Sequence, residues 1–328
     1  MSNERFLITG AFGCIGAWAV KLLREEGVDV WTYDLPGDPH RLKLIMDDAQ
    51  LASVNMIEGD ITNQEHFQGA VAGNSITHII HLAALQVPFV RANPVLGAQV
   101  NVVGSTIVLE TARQLAGQVK GLAYASSVAV YGPIDLYPPG PLAHDAEMRP
   151  TTLYGVTKQA NEWTARVYWQ DYQLKSVGLR PFFIYGPGRD QGISSLPSKA
   201  MLAAAVGRPY NITFNSTSVY QHAEDCARAF ITAASSDVDG APVFNLGGTK
   251  ATMTEVVAAI GAAAPEARGL ITVSGASMPF PDDIDGAASE EALGKITWRP
   301  FDEGVKGTIE HFKSAVAAGR IDVDRAIG

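Results

Sequence analysis

RFLITGAFGCIGAWAV, residues 5–20, decides the fold. Thr9, Gly10, Gly13 and Gly16 stand in a T-G-x-x-G-x-x-G spacing. An apolar strand-like run (Phe6, Leu7, Ile8) precedes them and a helix-like run (Trp18, Ala19, Val20, Leu22, Leu23) follows. A strand that enters a glycine turn and leaves as a helix is the context a dinucleotide phosphate loop requires. Gly10 permits the tight turn, Gly13 lets backbone N–H groups approach a pyrophosphate, and Gly16 lets the helix pack close to the sheet. The helix N-terminus directs partial positive charge at the anion. Far downstream, YGVTK sets Tyr154 and Lys158 four residues apart, on one helix face. Together the two motifs point to a nicotinamide cofactor and a tyrosine acid–base group; neither does so alone.

The bulk properties agree. A chain of 328 residues, 47% hydrophobic and 18% charged, can bury the core of an ordinary soluble protein of one or two domains. The net charge of −9 argues against a nucleic-acid partner. No run of about 18 apolar residues stands out, so no membrane span is expected. MSNERFLITG enters a strand almost at once, leaving no room for a signal peptide. Two cysteines, Cys14 and Cys226, supply neither a disulfide framework nor metal spacing. A cytoplasmic protein without a metal is the expectation.

Strand-like and helix-like runs alternate, predicting an α/β fold: a Rossmann-like doubly wound parallel sheet. Strands are expected at 5–9, VDVWTYD, VNMIEGD, ITHIIHLAA, KGLAYASS and SVGLRPFFIYG, with long helices near 96–116 and 153–172. Beyond residue 186 the pattern loosens into LPSKAMLAAAVG and EDCARAFITAAS (helical), YNITFN, PVFNLGG and LITVS (strands), MTEVVAAIGAAA (helical), an acidic FPDDIDG loop and a last helix near GVKGTIEHFKSAVAAG. The domain expectation is a cofactor domain over 1–185, with 211–248 returning to it, and a small substrate-binding lobe from 186–210 and 249–328. The cleft between them is the natural substrate site.

Asp34 ends the second strand, where a carboxylate accepts both adenosine ribose hydroxyls and repels a 2′-phosphate; this favours NAD. Asp60 and Ile61 stand where a polar group meets the adenine edge. Small residues after His81 (Leu82, Ala83, Ala84) let the cofactor pass close to the sheet. His78 and His81 read as strand packing rather than metal ligands. The expected cofactor set is Gly10, Phe12, Gly13, Cys14, Ile15, Gly16, Asp34, Asp60, Ile61, Leu82, Ala83, Ala84, Asn101, Tyr154, Lys158, Pro181 and Phe182.

TGAFGCIG, Asp34, GDIT, HLAA, NVVGST, ASSVAVYG, YGVTK, LRPFFIYGPG, EDCARAF and FNLGG follow one another in the order of the extended short-chain dehydrogenase/reductases, and the chain resembles their NAD-dependent epimerase/dehydratase branch almost throughout. The resemblance implies catalytic roles for Ser127, Tyr154 and Lys158 and places Asn101 on a helix bordering the site. It also implies a homodimer through the two long helices, whose Trp163, Val167 and Trp169 exceed what one buried face needs. The chemistry suits these roles. A free tyrosine, with a pKa near 10, is a poor base at neutral pH. A nearby ammonium and a cationic nicotinamide favour its phenolate. Tyr154 then takes a hydroxyl proton as hydride leaves the same carbon, and Ser127 hydrogen-bonds the developing carbonyl.

Three departures bear on substrate. The R-x-F-N asparagine of nucleotide-sugar enzymes is Phe183 here, the arginine of T-R-D-F-V is Ser218, and GASMPFPDDID lacks their second arginine and carries added acids. A diphosphate needs cations or donors. A small carbohydrate-like substrate is therefore expected, oxidised by an NAD-dependent dehydrogenase; the alternative is a nucleotide-sugar 4-epimerase with tightly bound NAD. A dehydratase would want an acid pair where Val128 and Ala129 stand, and intact Ser127, Tyr154 and Lys158 argue against a non-catalytic cofactor sensor. Arg91, Lys199 and Arg208 are candidate carboxylate binders; Gln221 and His222 either face the cleft or, for His222, cap the next helix.

Overall fold

The computed structural model describes residues 4–327; residues 1–3 and 328, at the ends of the two expected domains, lie outside the described residues. Twelve strands are described: β1 (Arg5–Thr9), β2 (Asp29–Asp34), β3 (Asn55–Glu58), β4 (His78–His81), β5 (Gly121–Ala125), β6 (Val177–Arg180), β7 (Phe183–Tyr185), β8 (Tyr210–Ile212), β9 (Ser218–His222), β10 (Val243–Asn245), β11 (Thr249–Ala251) and β12 (Ile271–Val273). Seven make a parallel sheet in the order β10-β6-β5-β4-β1-β2-β3. The order reverses at β1, and a doubly wound sheet binds its ligand at such a switch point, outside the carboxyl ends of the strands. β4 reads HIIH and is buried throughout, as a strand covered on both faces must be.

The helix Cys14–Glu25 follows β1 and buries Trp18, Val20, Leu22 and Leu23; Gly27, at φ 74°, ends it. The helix Leu153–Tyr172 begins at Thr152, whose side chain accepts from Gly155 N–H, and ends at Gln173 in the left-handed region. The expected helix near 96–116 is interrupted. Pro94–Ala98 passes through a π-turn at Gln99–Val103 into Gly104–Gln114. By length and composition the stretch Pro94–Gln114 is apolar enough to cross a membrane, although Asn, Gly, Ser and Thr break it into short apolar runs. Half of its most apolar window is buried inside the protein, so it is packed as a core helix on one side.

SVGLRPFFIYG, expected as one strand, is two. β6 belongs to the main sheet, whereas β7 pairs with β9 in a three-stranded sheet completed by β11. Pro181 has no N–H to continue the ladder. The next donor, Phe182 N–H, leaves the sheet for Gln221 Oε1 at 2.9 Å. β8 pairs with β12 in a separate two-stranded sheet, so residues 210–212 keep company with the C-terminal part of the chain. The acidic loop docks through Ile284 opposite Leu142, with Leu142 N–H donating to Asp283 O at 3.2 Å.

A buried ion pair joins these pieces. Glu162 and Arg180, 5% and 4% exposed, meet at 2.6 and 2.8 Å. The carboxylate also accepts from Ser126, and Arg180 Nη1 donates to Tyr131 Oη and His144 O, both at 2.5 Å. Removing one partner of such a pair strands a buried charge, typically at a cost of about 3–5 kcal/mol. Arg180→Met should therefore lower the urea midpoint by a stability loss of about that size, and adding Glu162→Leu should recover much of it. A single variant as stable as wild type would mean that the pair is dispensable.

Candidate active site

The glycine loop is held by contacts that side chains would break. Gly10 has φ 67°, and a Cβ there would lie 2.6 Å from Ala83 N. A Cβ on Gly16 would lie 2.4 Å from Gly10 O, so this glycine lets the helix close on the loop itself. A Cβ on Gly13 would also press on Gly10 O, at 3.0 Å. Phe12, Gly13, Cys14 and Ile15 stay half-buried at the start of the helix, leaving a face for an anion. This cradle, with a carboxylate at the end of β2, fits a dinucleotide. Asp34 accepts from Phe12 N–H at 2.8 Å and from Leu35 N–H at 2.9 Å. Burial raises its pKa, while those two N–H groups and the Arg41 guanidinium oppose the rise. Arg41 lies close by but is committed, with Nη1 on Phe12 O at 2.7 Å and Nη2 on Asp190 at 2.6 Å.

The other residues of the expected cofactor set lie on several elements. Thr9 Oγ1 accepts from Leu82 and Ala83 N–H at 3.2 Å each, and Ala84 continues that segment half-buried. Ile61 is buried where Gly104 passes. Asp60 is exposed, and its Oδ1 is occupied by Thr62 N–H and Oγ1 at 2.9 and 2.8 Å. Asn101, in the π-turn, accepts from Leu85 N–H at 2.7 Å and donates to Leu85 O and Thr157 Oγ1 at 3.0 and 3.1 Å. Its amide thus ties the 82–85 segment to the helix Leu153–Tyr172. The π-turn itself, a frequent mark of functional sites, has no sequence signature here. Pro181 O accepts from Val128 N–H at 3.3 Å, which sets Pro181 and Phe182 beside Ser127.

Ser127 caps a short turn, its Oγ accepting from Ala129 N–H at 3.1 Å. The turn it caps packs on the helix that carries Tyr154, where a Cβ on Gly155 would lie 2.1 Å from Ala129 O. Lys158 Nζ lies 5.7 Å from the Tyr154 ring centroid and donates to Ala125 O at 2.7 Å. The three expected catalytic side chains are therefore brought together. Burial nevertheless raises the Tyr154 pKa, with the Ser127 hydrogen bond and the Arg189 charge working against it. Burial also lowers Lys158 to about 8, opposed by Glu162 one turn along the helix. Desolvation thus works against the phenolate expected from Lys158, and the groups that oppose it are Ser127 and Arg189.

Several expected readings resolve structurally. Gln221 is consumed, accepting from Phe182 N–H and donating to Leu246 O and Gly247 O at 2.7 Å each. His222 caps the helix Ala223–Ala234 through Glu224 N–H at 3.3 Å. His78 stacks on Phe6, ring centroids 4.6 Å apart. Phe183 is buried among Phe182, Phe214 and Tyr220, and Ser218 is buried in β9. Asp283 and Asp282 of the acidic loop face Lys250 at 3.3 and 3.6 Å. Arg208 pairs with Asp324, Arg91 is exposed and Lys199 half-buried. Arg189, missed in the sequence, is the arginine whose charge acts on Tyr154. Among the described residues no group of three or more His, Cys, Asp or Glu is placed to hold a metal.

Fold and site define a Rossmann-type nicotinamide-dependent oxidoreductase scaffold. The profile of the NAD dependent epimerase/dehydratase family matches residues 6–247, and the chain belongs to that family, whose cofactor is NAD. It is 28% identical over 338 aligned positions to a UDP-glucose 4-epimerase of Mycolicibacterium smegmatis, covering 94% of this chain and 99% of the relative. It is 32% identical over 166 positions to a D-erythronate dehydrogenase of Cupriavidus necator, covering 48% of each. The NAD complex of the Thermus thermophilus UDP-glucose 4-epimerase superposes with a TM-score of 0.79 at 27% identity, covering 95% of this chain and 100% of that one.

Two buried histidines make the fold acid-sensitive. His81 bridges Thr9 Oγ1 and Ser105 Oγ at 2.7 and 3.0 Å, and burial holds it at about 3. Burial holds His222 at about 3 as well. Unfolded histidines titrate near 6.5, so below that pH the unfolded chain binds protons that the native protein refuses. Stability is complete above about pH 6.5 and is lost as pH falls toward 3, by up to about 2.7 kcal/mol per pH unit for two such groups. Urea midpoints should fall clearly between pH 7 and pH 5. Equal midpoints would show that these rings accept protons in the native state.

Proposed function

We propose that the protein is an NAD-dependent dehydrogenase acting on a secondary alcohol of a small sugar, sugar acid or related polyhydroxy compound. The observation that carries this reading is the state of the two positions where nucleotide-sugar enzymes offer donors. Phe183 is locked in an aromatic cluster and Ser218 is buried in β9, so neither supplies a group for a diphosphate. The half-length similarity to a D-erythronate dehydrogenase supports it. Residues 1–185 with 211–248 are read as the cofactor domain, and 186–210 with 249–328 as the substrate lobe, in a cytoplasmic protein.

NAD, when bound, supplies the hydride acceptor and a positive charge. The chain's own groups handle the proton. Tyr154 takes it from the alcohol in oxidation and returns it in reduction. Ser127 donates to the substrate oxygen as it gains carbonyl character. Lys158, anchored on Ala125 O, holds a cation beside the phenol ring. Tyr154→Phe should lower kcat by roughly two to four decades, the usual scale for a lost acid–base group, with little change in NAD affinity. Near wild-type turnover in this variant would assign the proton to another group.

A nucleotide-sugar 4-epimerase is the second reading, favoured by the 28% identity to a UDP-glucose 4-epimerase along nearly the whole chain. A dehydrogenase accumulates free NADH; an epimerase keeps its cofactor through purification and shows no net reduction. Free UDP separates them independently: a clear rise in Tm with UDP would favour the epimerase.

We also propose a two-fold dimer. Leu153, Val156, Trp163 and Val167 lie exposed along one face of the helix Leu153–Tyr172, and Val95, Leu96 and Val103 are exposed on the segment packed beside it. Such a patch on a monomer marks an interface. Light scattering should give a dimer for wild type and a monomer for Trp163→Glu/Val167→Glu; a monomeric wild type would refute the assembly.

A further inference from the structure

Residues 186–194 form a loop fastened on both sides of one arginine. Pro187 O accepts from Trp18 Nε1 at 2.9 Å, which holds the loop over the first turns of the helix Cys14–Glu25. Asp190 is held by Arg41 at 2.6 Å and by His40 at 3.0 Å. Between these anchors, Arg189 donates through Nη2 to Ser194 Oγ at 2.5 Å. Its Nε is buried and has no hydrogen-bond partner among the described residues. The adjacent Asp190 carboxylate is committed to Arg41 and His40, and no ion pair among the described residues includes Arg189. Arg180 makes the contrast: that buried guanidinium has both oxygens of Glu162.

The loop that carries Arg189 lies against the glycine loop, where Cys14 Sγ meets Pro187 O at 3.9 Å, and the Arg189 charge also acts on Tyr154. Gln86 lies alongside, since a Cβ on Gly192 would be 2.7 Å from Gln86 Oε1 and 4.0 Å from Arg189 Nη2. A half-buried guanidinium with an unpartnered Nε, whose neighbouring carboxylate is already paired with Arg41 and His40, keeps charge available for an anion. A guanidinium fork fits a planar carboxylate through two parallel hydrogen bonds. The glycine loop and helix start already provide for a pyrophosphate with backbone N–H groups, leaving this fork for another anion.

We propose that Arg189 receives a carboxylate on the substrate, so that the site takes a sugar acid in preference to its neutral counterpart. This deepens, and rests on, the dehydrogenase reading above. The test compares wild type, Arg189→Gln and Arg189→Lys in two arms. In the first, calorimetry titrates D-gluconate and neutral D-glucitol into the NADH-saturated protein, with no turnover involved. In the second, NADH absorbance follows oxidation of the same pair and of D-glucuronate with D-glucose. The wild type should prefer the acid, and Arg189→Gln should reduce that preference by about 100-fold, the scale of a lost charged hydrogen-bond pair. Arg189→Lys should recover part of it. The NAD dissociation constant should move by less than about threefold, as expected if backbone groups bind the pyrophosphate. Equal weakening of acid and neutral ligand would make Arg189 a loop strut and overturn the proposal. A large loss of NAD affinity with unchanged ligand preference would assign Arg189 to the cofactor and also overturn it. Acid binding without oxidation of any sugar would instead sink the dehydrogenase reading and leave Arg189 standing. Oxidation of neutral sugars with no acid preference would do the reverse.

Discussion

The ion pair of Glu162 with Arg180 is the constraint on which the site depends. Glu162 lies one helical turn beyond Lys158, and Arg180 is the last residue of β6. Through Ser126, the carboxylate grips the chain between Ala125, whose carbonyl anchors Lys158, and Ser127. Through Tyr131, His144 and Asn245, the guanidinium reaches the end of β10 and the segment that docks the acidic loop. One buried pair therefore sets the relative position of helix, sheet edge and covering loops. Its desolvation is offset because nearly every charge-bearing atom has a partner.

Around that anchor, polar side chains act mainly by positioning. Asn101, His81, Ser105 and Asn161 form a continuous network, with His81 Nε2 and Asn161 Nδ2 both meeting Ser105 Oγ. Ser105 donates to Asn101 O at 2.6 Å, so the imidazole must be the Nε2–H tautomer, with Nδ1 accepting from Thr9. A neutral histidine in that state links the end of β1 to the helix bordering the site without adding charge beneath Lys158. Burial is thus used twice: it makes Lys158 give up its proton more readily, and it keeps the His81 ring uncharged.

Much of this was legible in the chain. The glycine spacing, the acidic end of β2 and the Tyr–Lys pair each rest on local geometry: a turn that admits no Cβ, a strand terminus, one helical turn. Periodicity placed the helix 153–172 at its observed bounds, because its burial pattern and its Thr152 cap are local. The split of SVGLRPFFIYG was also written locally, in Pro181, but its consequence was not. Which sheet β7 joins depends on β9, some 35 residues later. The fate of Gln221 was equally open, since Phe182, Leu246 and Gly247 lie on other strands and turns, whereas the His222 cap on Glu224 N–H is local.

The sequence by itself determined the sheet, the glycine loop with Asp34 beyond it, and the placing of Tyr154 and Lys158 on one helix face, because those depend on spacing within single strand–turn–helix units. Only the tertiary structure decided the electrostatics. That burial raises the Tyr154 pKa against Ser127 and Arg189, that Asp190 answers to Arg41 and His40, and that Arg189 Nε is left without a hydrogen-bond partner follow from contacts between residues far apart in the chain. Charge interactions in a protein are set by distance and by exclusion of water, and neither can be read from the order of residues.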